Sequence, residues 1–118
     1  MKKTIKPYNR LRLGSDFAQV RNNGQKYVGR MMIMVMTRDP GNTLKCGVVC
    51  GRKFSKKAVV RNRVRRIVWE AFRLIKTEIE PCHMIIIPRK LIIDAKRQMV
   101  ESEMKYLLKK AGQLIRQG

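Results

Sequence analysis

Aromatic residues are scarce in this chain, 6% of its 118 positions, which leaves little area for stacking. Histidine occurs once, at His83. No two carboxylates stand in a recognisable pair, and no Gly-rich phosphate loop is present. An enzyme acting alone needs at least one positioned acid–base group, so the chain reads as a binder with no catalytic residue of its own. Apolar runs are strand-sized, and none reaches the roughly 18 residues that suggest a membrane span. The first seven residues, Met1 to Pro7, lack the apolar core of a signal peptide. These absences predict a soluble, cytoplasmic protein with no membrane partner. Cysteines number three, an odd count that fits a reducing compartment better than a disulfide framework. Cys46 and Cys50 lie four apart on one predicted strand, about 13 Å, too far to share one tetrahedral ion with Cys82 and His83. Buried small hydrophobes are the better reading for them, and no metal site is expected. Acids are the last shortage: 8 against 28 Lys and Arg, a net charge of +20.

That charge strongly attracts polyanions and strains the compact state by self-repulsion. With 44% hydrophobic residues, disorder is not the default, and the length suits one domain spanning 1–118 with a modest core. Residues 1–14 read as a basic tail able to order on a partner. Ser15 is the expected N-cap of a short helix from Asp16 to about Asn22, with Asp16 favourable in the first turn and Phe17 and Val20 on one side. From that window alone Phe17 is a core anchor. Lys26–Thr37 reads as strand, interrupted near Gly29, and its apolar residues on both faces predict a strand covered on each side. Asp39-Pro40-Gly41-Asn42 is a strong turn, and Leu44–Gly51 is read as its antiparallel hairpin partner. Gly47 and Gly51 leave one side of that strand without bulk, for a backbone, a base or a neighbouring helix.

The centre of the chain is a two-faced helix starting after Ser55 and ending near Thr77. At about 100° per residue, Val60, Val64, Ile67, Val68, Ala71, Leu74 and Ile75 share one side. Arg61, Asn62, Arg65, Arg66 and Arg73 share the other, with Trp69 among them, Arg63 at a boundary and Glu70 the only acid. A solvated face normally mixes signs, because like charges at helical spacing cost roughly 0.2–0.5 kcal/mol per pair. A face of one sign predicts a docked polyanion. Ser55 is the expected N-cap, with Phe54 and Val59 as a hydrophobic staple. Arg52, Lys53, Lys56 and Lys57 crowd this entrance, where free backbone N–H groups also favour an anion. Cys82–Pro88 is a further strand, parallel to the one before the helix. Leu91–Arg97 is a connector or short helix. Val100 to Gln117 is an amphipathic helix through Met104, Leu107, Leu108, Ala111, Leu114 and Ile115.

Lys57-Ala58-Val59-Val60-Arg61-Asn62-Arg63-Val64-Arg65-Arg66 strongly resembles the arginine-asparagine-arginine motif of the bacterial ribonuclease P protein subunit. Asp16-Phe17 with Val20 and Gly24 resembles that family's first helix. Gly47-Val48-Val49 leading to Arg52-Lys53 resembles its strand before the motif, and Ile85-Ile86-Ile87-Pro88-Arg89-Lys90 the strand after it. The resemblance implies a single-domain α+β sandwich of roughly αβββαβα order with a small mixed sheet. It also implies a left-handed βαβ crossover, where general rules predict a right-handed one. It implies the protein part of a ribonucleoprotein, ribonuclease P, that removes the 5′ leader of precursor tRNA. There the partner RNA carries the chemistry with Mg²⁺ bound to it. Arg61, Asn62, Arg63, Arg65 and Arg66, with Lys56 and Lys57, match positions that contact the catalytic RNA. Phe17 and Lys53 match the leader-binding cleft, with Arg52, Arg89 and Lys90 near it. The implied partners are ribonuclease P RNA and precursor tRNA, with no obligatory protein partner. Arg21 stands where many members carry a second aromatic on the first helix and Val35 where some carry tyrosine, which implies weaker stacking on the leader and more reliance on charge. Two other readings remain on the residues alone: a ribosome-type structural RNA-binding protein, and a DNA-binding module with the arginine helix in a major groove. Missing helix-turn-helix spacing opposes the second.

Overall fold

Two seven-residue segments without a polar face, Met32–Arg38 and Cys82–Pro88, form the middle of the sheet, where both faces need cover. A computed structural model describes residues 9–11, 14–38 and 43–115. In chain order the elements are β1 (Asn9–Arg10), α1 (Ser15–Asn23), β2 (Gln25–Val28), β3 (Met32–Arg38), β4 (Lys45–Val48), α2 (Ala58–Ile75), β5 (Cys82–Pro88) and α3 (Arg97–Lys110). Short 3₁₀ helices follow α2 at Lys76–Glu78 and β5 at Lys90–Asp94. This is the expected αβββαβα order of an α+β sandwich, with one two-residue strand added at its start. The basic segment expected as a tail through residue 14 therefore joins the fold earlier. Asn9 and Arg10 pair in parallel with Lys45 and Cys46, and Leu11 is buried.

The strand order is β1-β4-β5-β3-β2. β4 and β5 are parallel, as the strand–helix–strand reading requires. The expected hairpin between β3 and β4 does not exist, because β5 lies between them and pairs with both. Adjacency in sequence loses here to apolarity: β5 is apolar on both faces, so it takes the central position. The turn at 39–42 lies outside the described residues.

The two faces of the sheet are covered unequally. On one, α2 and α3 close the main core, where Met32, Met34, Met36, Met84 and Ile86 meet Val64, Val68, Phe72, Ile75, Met104 and Leu108. On the other, α1 alone packs a small cluster of Leu11, Val20, Val35 and Ile85. A nine-residue helix cannot cover a five-stranded sheet, so part of that face stays open.

Helix ends depart from the sequence reading. Ser15 is the first residue of α1, not its cap; Gly14 holds the cap position at φ 87°, a conformation glycine adopts without a Cβ penalty. Ser55 does not cap α2 either. The N–H groups of Phe54 and Ser55 both turn back to Gly51 O, and the helix starts at Ala58 with Lys57 as cap. Ser55 Oγ instead accepts from Lys57 N–H at 3.2 Å. Val59 is exposed, so no hydrophobic staple forms. α3 stops at Lys110, well before Gln117, because Gly112 turns the chain at φ 73°. Leu114 then bridges to Ile79, and Ile115 N–H donates to Glu78 O at 2.8 Å.

One buried-side contact ties α3 to the sheet. Glu103 Oε2 accepts from the N–H groups of Met31 (2.7 Å) and Met32 (3.0 Å) where the chain enters β3. Glu103→Ala is expected to cost about 2–3 kcal/mol, as two charge-assisted bonds to backbone donors are lost. Glu103→Gln, which keeps an acceptor, should cost less; urea unfolding of both variants measures the difference.

Candidate nucleic-acid interface

Carbonyl groups in the turn before α2 have no strand partners, and the arginines of the helix supply donors to them. Arg61 Nη1 donates to Ser55 O at 2.9 Å, and Arg65 Nη2 to Cys50 O at 2.8 Å. Arg65 Nη1 also donates to Asn62 Oδ1 at 2.9 Å, which orients the amide. On the flank of the helix, Arg63 donates to Ile93 O and Lys90 Nζ to Phe54 O. The motif thus stitches both neighbouring connectors, 50–55 and 89–95, to one helix. Arg61 and Arg65 are half-buried by this work, whereas Asn62, Arg66 and Arg73 remain exposed. Arg52, Lys53, Lys56 and Lys57 are exposed beside them. The exposed helix residues and the entrance lysines therefore sit on α2 and the segment directly before it, with that segment's geometry fixed by Arg61 and Arg65.

Trp69 sits in the same stripe but is half-buried, its ring edge-on to Phe72 at 5.9 Å between centroids. The Arg10 guanidinium lies 4.5 Å from the centre of the Trp69 ring. Arg10 therefore adds a cation beside α2, in cation–π contact with the indole. Nothing local in the sequence signals this, since Arg10 and Trp69 are 59 residues apart and meet only in the folded chain.

The open side of the sheet forms the second part of the site. Phe17, half-buried on α1, packs against Leu11, Val20, Val35 and Ile85. Its ring fills the space that Gly47 leaves: a Cβ on Gly47 would stand 2.5 Å from Phe17 Cζ. The gap anticipated at Gly47 is thus used by the neighbouring helix. Beyond the ring, half-buried Ile33, Ile87 and Val49 continue an apolar strip, with Ile33 paired to Ile87. Lys90 lies 5.2 Å from the Phe54 ring, next to Lys53. Arg89 turns the other way, with Nη1 donating to Gly29 O at 2.8 Å, so the structure does not bring it to Phe17. Arg21 is exposed on α1, and Val35 is buried under Phe17. Gly47→Ala is expected to displace the Phe17 ring and to cost about 1–3 kcal/mol by overpacking. Thermal melting gives the cost, and a crystal structure of the variant gives the ring position.

Cys46, Cys50 and Cys82 are free thiols buried in the main core. Burial pushes the Cys46 thiol well up, with Cys82 adding and Arg10 opposing. Burial also raises Cys50, offset in part by Arg65 and Arg61. Among the described residues no three His, Cys, Asp or Glu side chains are grouped to hold a metal ion. No helix among them is long and apolar enough to cross a membrane.

The family model described as ribonuclease P matches residues 5–112. The ribonuclease P protein component of Clostridium botulinum is 31% identical over 106 residues, covering 88% of this chain and 95% of that protein. That of Geotalea uraniireducens is 37% identical over 83 residues, covering 70% of this chain and 73% of that protein. Among solved structures, the ribonuclease P protein of Thermotoga maritima superposes with a TM-score of 0.77 at 29% identity, covering 86% of this chain and 96% of that one. The Staphylococcus aureus protein superposes with a TM-score of 0.79 at 23% identity, covering 92% and 99%, which bears on the fold.

Proposed function

The chain belongs to the ribonuclease P protein family, and we propose that it serves in the bacterial cytoplasm as the protein that docks on the catalytic RNA and holds the 5′ leader of precursor tRNA. The observation that carries this reading is the presence of two surfaces. One is cationic, with Asn62 and Arg66 on α2 and Lys56 and Lys57 before it, all exposed; the other is the half-open sheet face holding Phe17, and exposed Lys53 lies in the chain between β4 and α2. The first surface suits the phosphates of a folded RNA; the second suits a single strand. Arg61 and Arg65 position the turn that carries Arg52 and Lys53, besides lending charge. Mg²⁺ held by the RNA supplies the hydrolytic chemistry, and the chain binds and orients.

If the helix face neutralises about five phosphates, log K should fall against log salt with a slope of roughly −3.5 to −4.5. A slope near zero in a filter-binding titration would contradict that face. The deciding experiment is cleavage of a precursor tRNA by a bacterial ribonuclease P RNA at low Mg²⁺, with and without this protein. Leader-dependent stimulation that is lost in Arg61→Ala/Arg65→Ala supports the reading. Tight RNA binding without stimulation favours a ribosome-type structural role. Cleavage by the protein alone would point to an active site within the chain.

A further inference from the structure

A second apolar surface lies on the α3 side of the sheet. Val28, Leu91, Met99 and Tyr106 are each between 53% and 65% exposed, and all four line one open groove of about 1100 Å³. They are four of the seven large apolar side chains exposed among the described residues. Exposed apolar groups that gather in one place mark a binding surface, whereas scattered ones do not. The groove runs between the turn joining β2 to β3, the segment after β5 and the outer side of α3.

Its rim is cationic. Arg30 and Arg89 are exposed there, and Arg89 is anchored through Gly29 O. Lys110 Nζ stands 5.5 Å from the Tyr106 ring centre. The one acid in the lining, Glu103, is engaged by the Met31 and Met32 N–H groups. Apolar walls under a rim of positive charge, on a chain of net charge +20, suit a partner that offers both flat apolar faces and regular negative charge. Unpaired RNA has both; a duplex hides its bases.

The groove also continues the open sheet face. Phe17 stands over Gly47, which pairs with Ile85. Along β3 and β5 the next pairs on that face are Ile33 with Ile87; then Arg89 N–H meets Met31 O at 2.9 Å, at the mouth of the groove. From Ile85 to Arg89 is four strand residues, about 13 Å. A strand leaving Phe17 along this direction meets Arg89 and turns over the sheet end toward Tyr106.

We propose that this groove holds the upstream part of the precursor's leader, its bases against Tyr106 and Leu91 and its phosphates at Arg30, Arg89 and Lys110. The inference rests on the reading of the Phe17 face as the leader cleft. It makes the protein a sensor of leader length as well as a clamp near the cleavage point.

The test uses the reconstituted ribonucleoprotein and two precursors, with unpaired leaders of about 5 and about 15 nucleotides, which bracket the usual reach of a single-strand groove. Binding is measured at matched salt for the wild type, Tyr106→Ala and Leu91→Ser. The wild type should bind the long-leader precursor more tightly. Tyr106→Ala should weaken long-leader binding roughly tenfold, about the effect of one lost base–aromatic stack; Leu91→Ser should weaken it in the same direction, and both should leave the short-leader precursor unchanged. Unchanged melting curves confirm that the variants are folded. A length advantage that survives both substitutions overturns the groove alone and leaves its walls to an apolar protein segment. Equal losses on both precursors also overturn it. Failure of the wild type to stimulate cleavage of either precursor would sink the subunit reading, and this inference with it.

Discussion

Phe72→Ala is expected to destabilise the free protein by about 3–5 kcal/mol, the range for emptying a buried phenylalanine site. Phe72 is fully buried where α2 meets the sheet, and it carries the edge-on contact that holds Trp69. Domains of ordinary stability have only about 5–15 kcal/mol in total, and a net charge of +20 lowers this one further. The variant should therefore be close to its unfolding midpoint in low-anion buffer. In urea the midpoint should fall with the slope unchanged. Because Trp69 is the single tryptophan, its fluorescence reports the site directly. Coincidence of that signal with far-UV circular dichroism tests whether the loss is global. Sulfate, by binding the folded cationic face, should restore part of the loss in both wild type and variant. Equal melting temperatures with and without sulfate at constant ionic strength would remove the anion-stabilisation argument.

The second large effect is expected at Arg61 and Arg65 together. Replacing both with alanine deletes the bonds to Ser55 O, Cys50 O and Asn62 Oδ1. Two cations leave the surface proposed to face RNA, and the 50–55 turn with Arg52 and Lys53 loses its tethers. At about 1.4 kcal/mol per side chain, RNA affinity should drop at least a hundredfold. Arg66→Ala is the informative comparison, since Arg66 is exposed. It should leave stability within about 0.5 kcal/mol and reduce the salt slope by roughly 0.7–0.9. Arg65→Lys separates charge from geometry: the ammonium keeps the cation but cannot bridge Cys50 O and Asn62 Oδ1 in one plane. If Arg65→Lys behaves as wild type in both melting and RNA binding, the tether has no role.

Much of this was legible in the sequence, for reasons that differ by element. β3 and β5 are long and apolar on both faces, and α2 is long and strongly periodic, so their types follow from the local pattern. Phe72 was nevertheless unplaced by the apolar stripe, and Leu74, counted within it, is exposed. The order of strands was not legible, because pairing of β5 with β4 and β3 joins residues 38 to 56 positions apart, beyond any local pattern. Helix starts at Ser15 and Ser55 were not legible, because the positive φ at Gly14 and the tight turn at Gly51 override side-chain capping preference. At the site, the Arg61–Arg66 spacing announced a charged face. It could not reveal that Arg61 and Arg65 are bound to carbonyls, or that Arg10 lies on Trp69, since those partners arrive through the tertiary fold.

The insertion of β5 between β3 and β4 bears on how the chain comes to be folded at all. As synthesis proceeds, the strands of the β2–β3 and β1–β4 pairs emerge before β5, the strand that joins the two pairs along their inner edges. Neither can be joined until Pro88 has left the ribosome, when one strand completes antiparallel and parallel ladders at once. Until then those edges are open to strands of other nascent chains. A chain cut before Cys82 would contain α2 with its whole arginine face, yet have no sheet to dock it on.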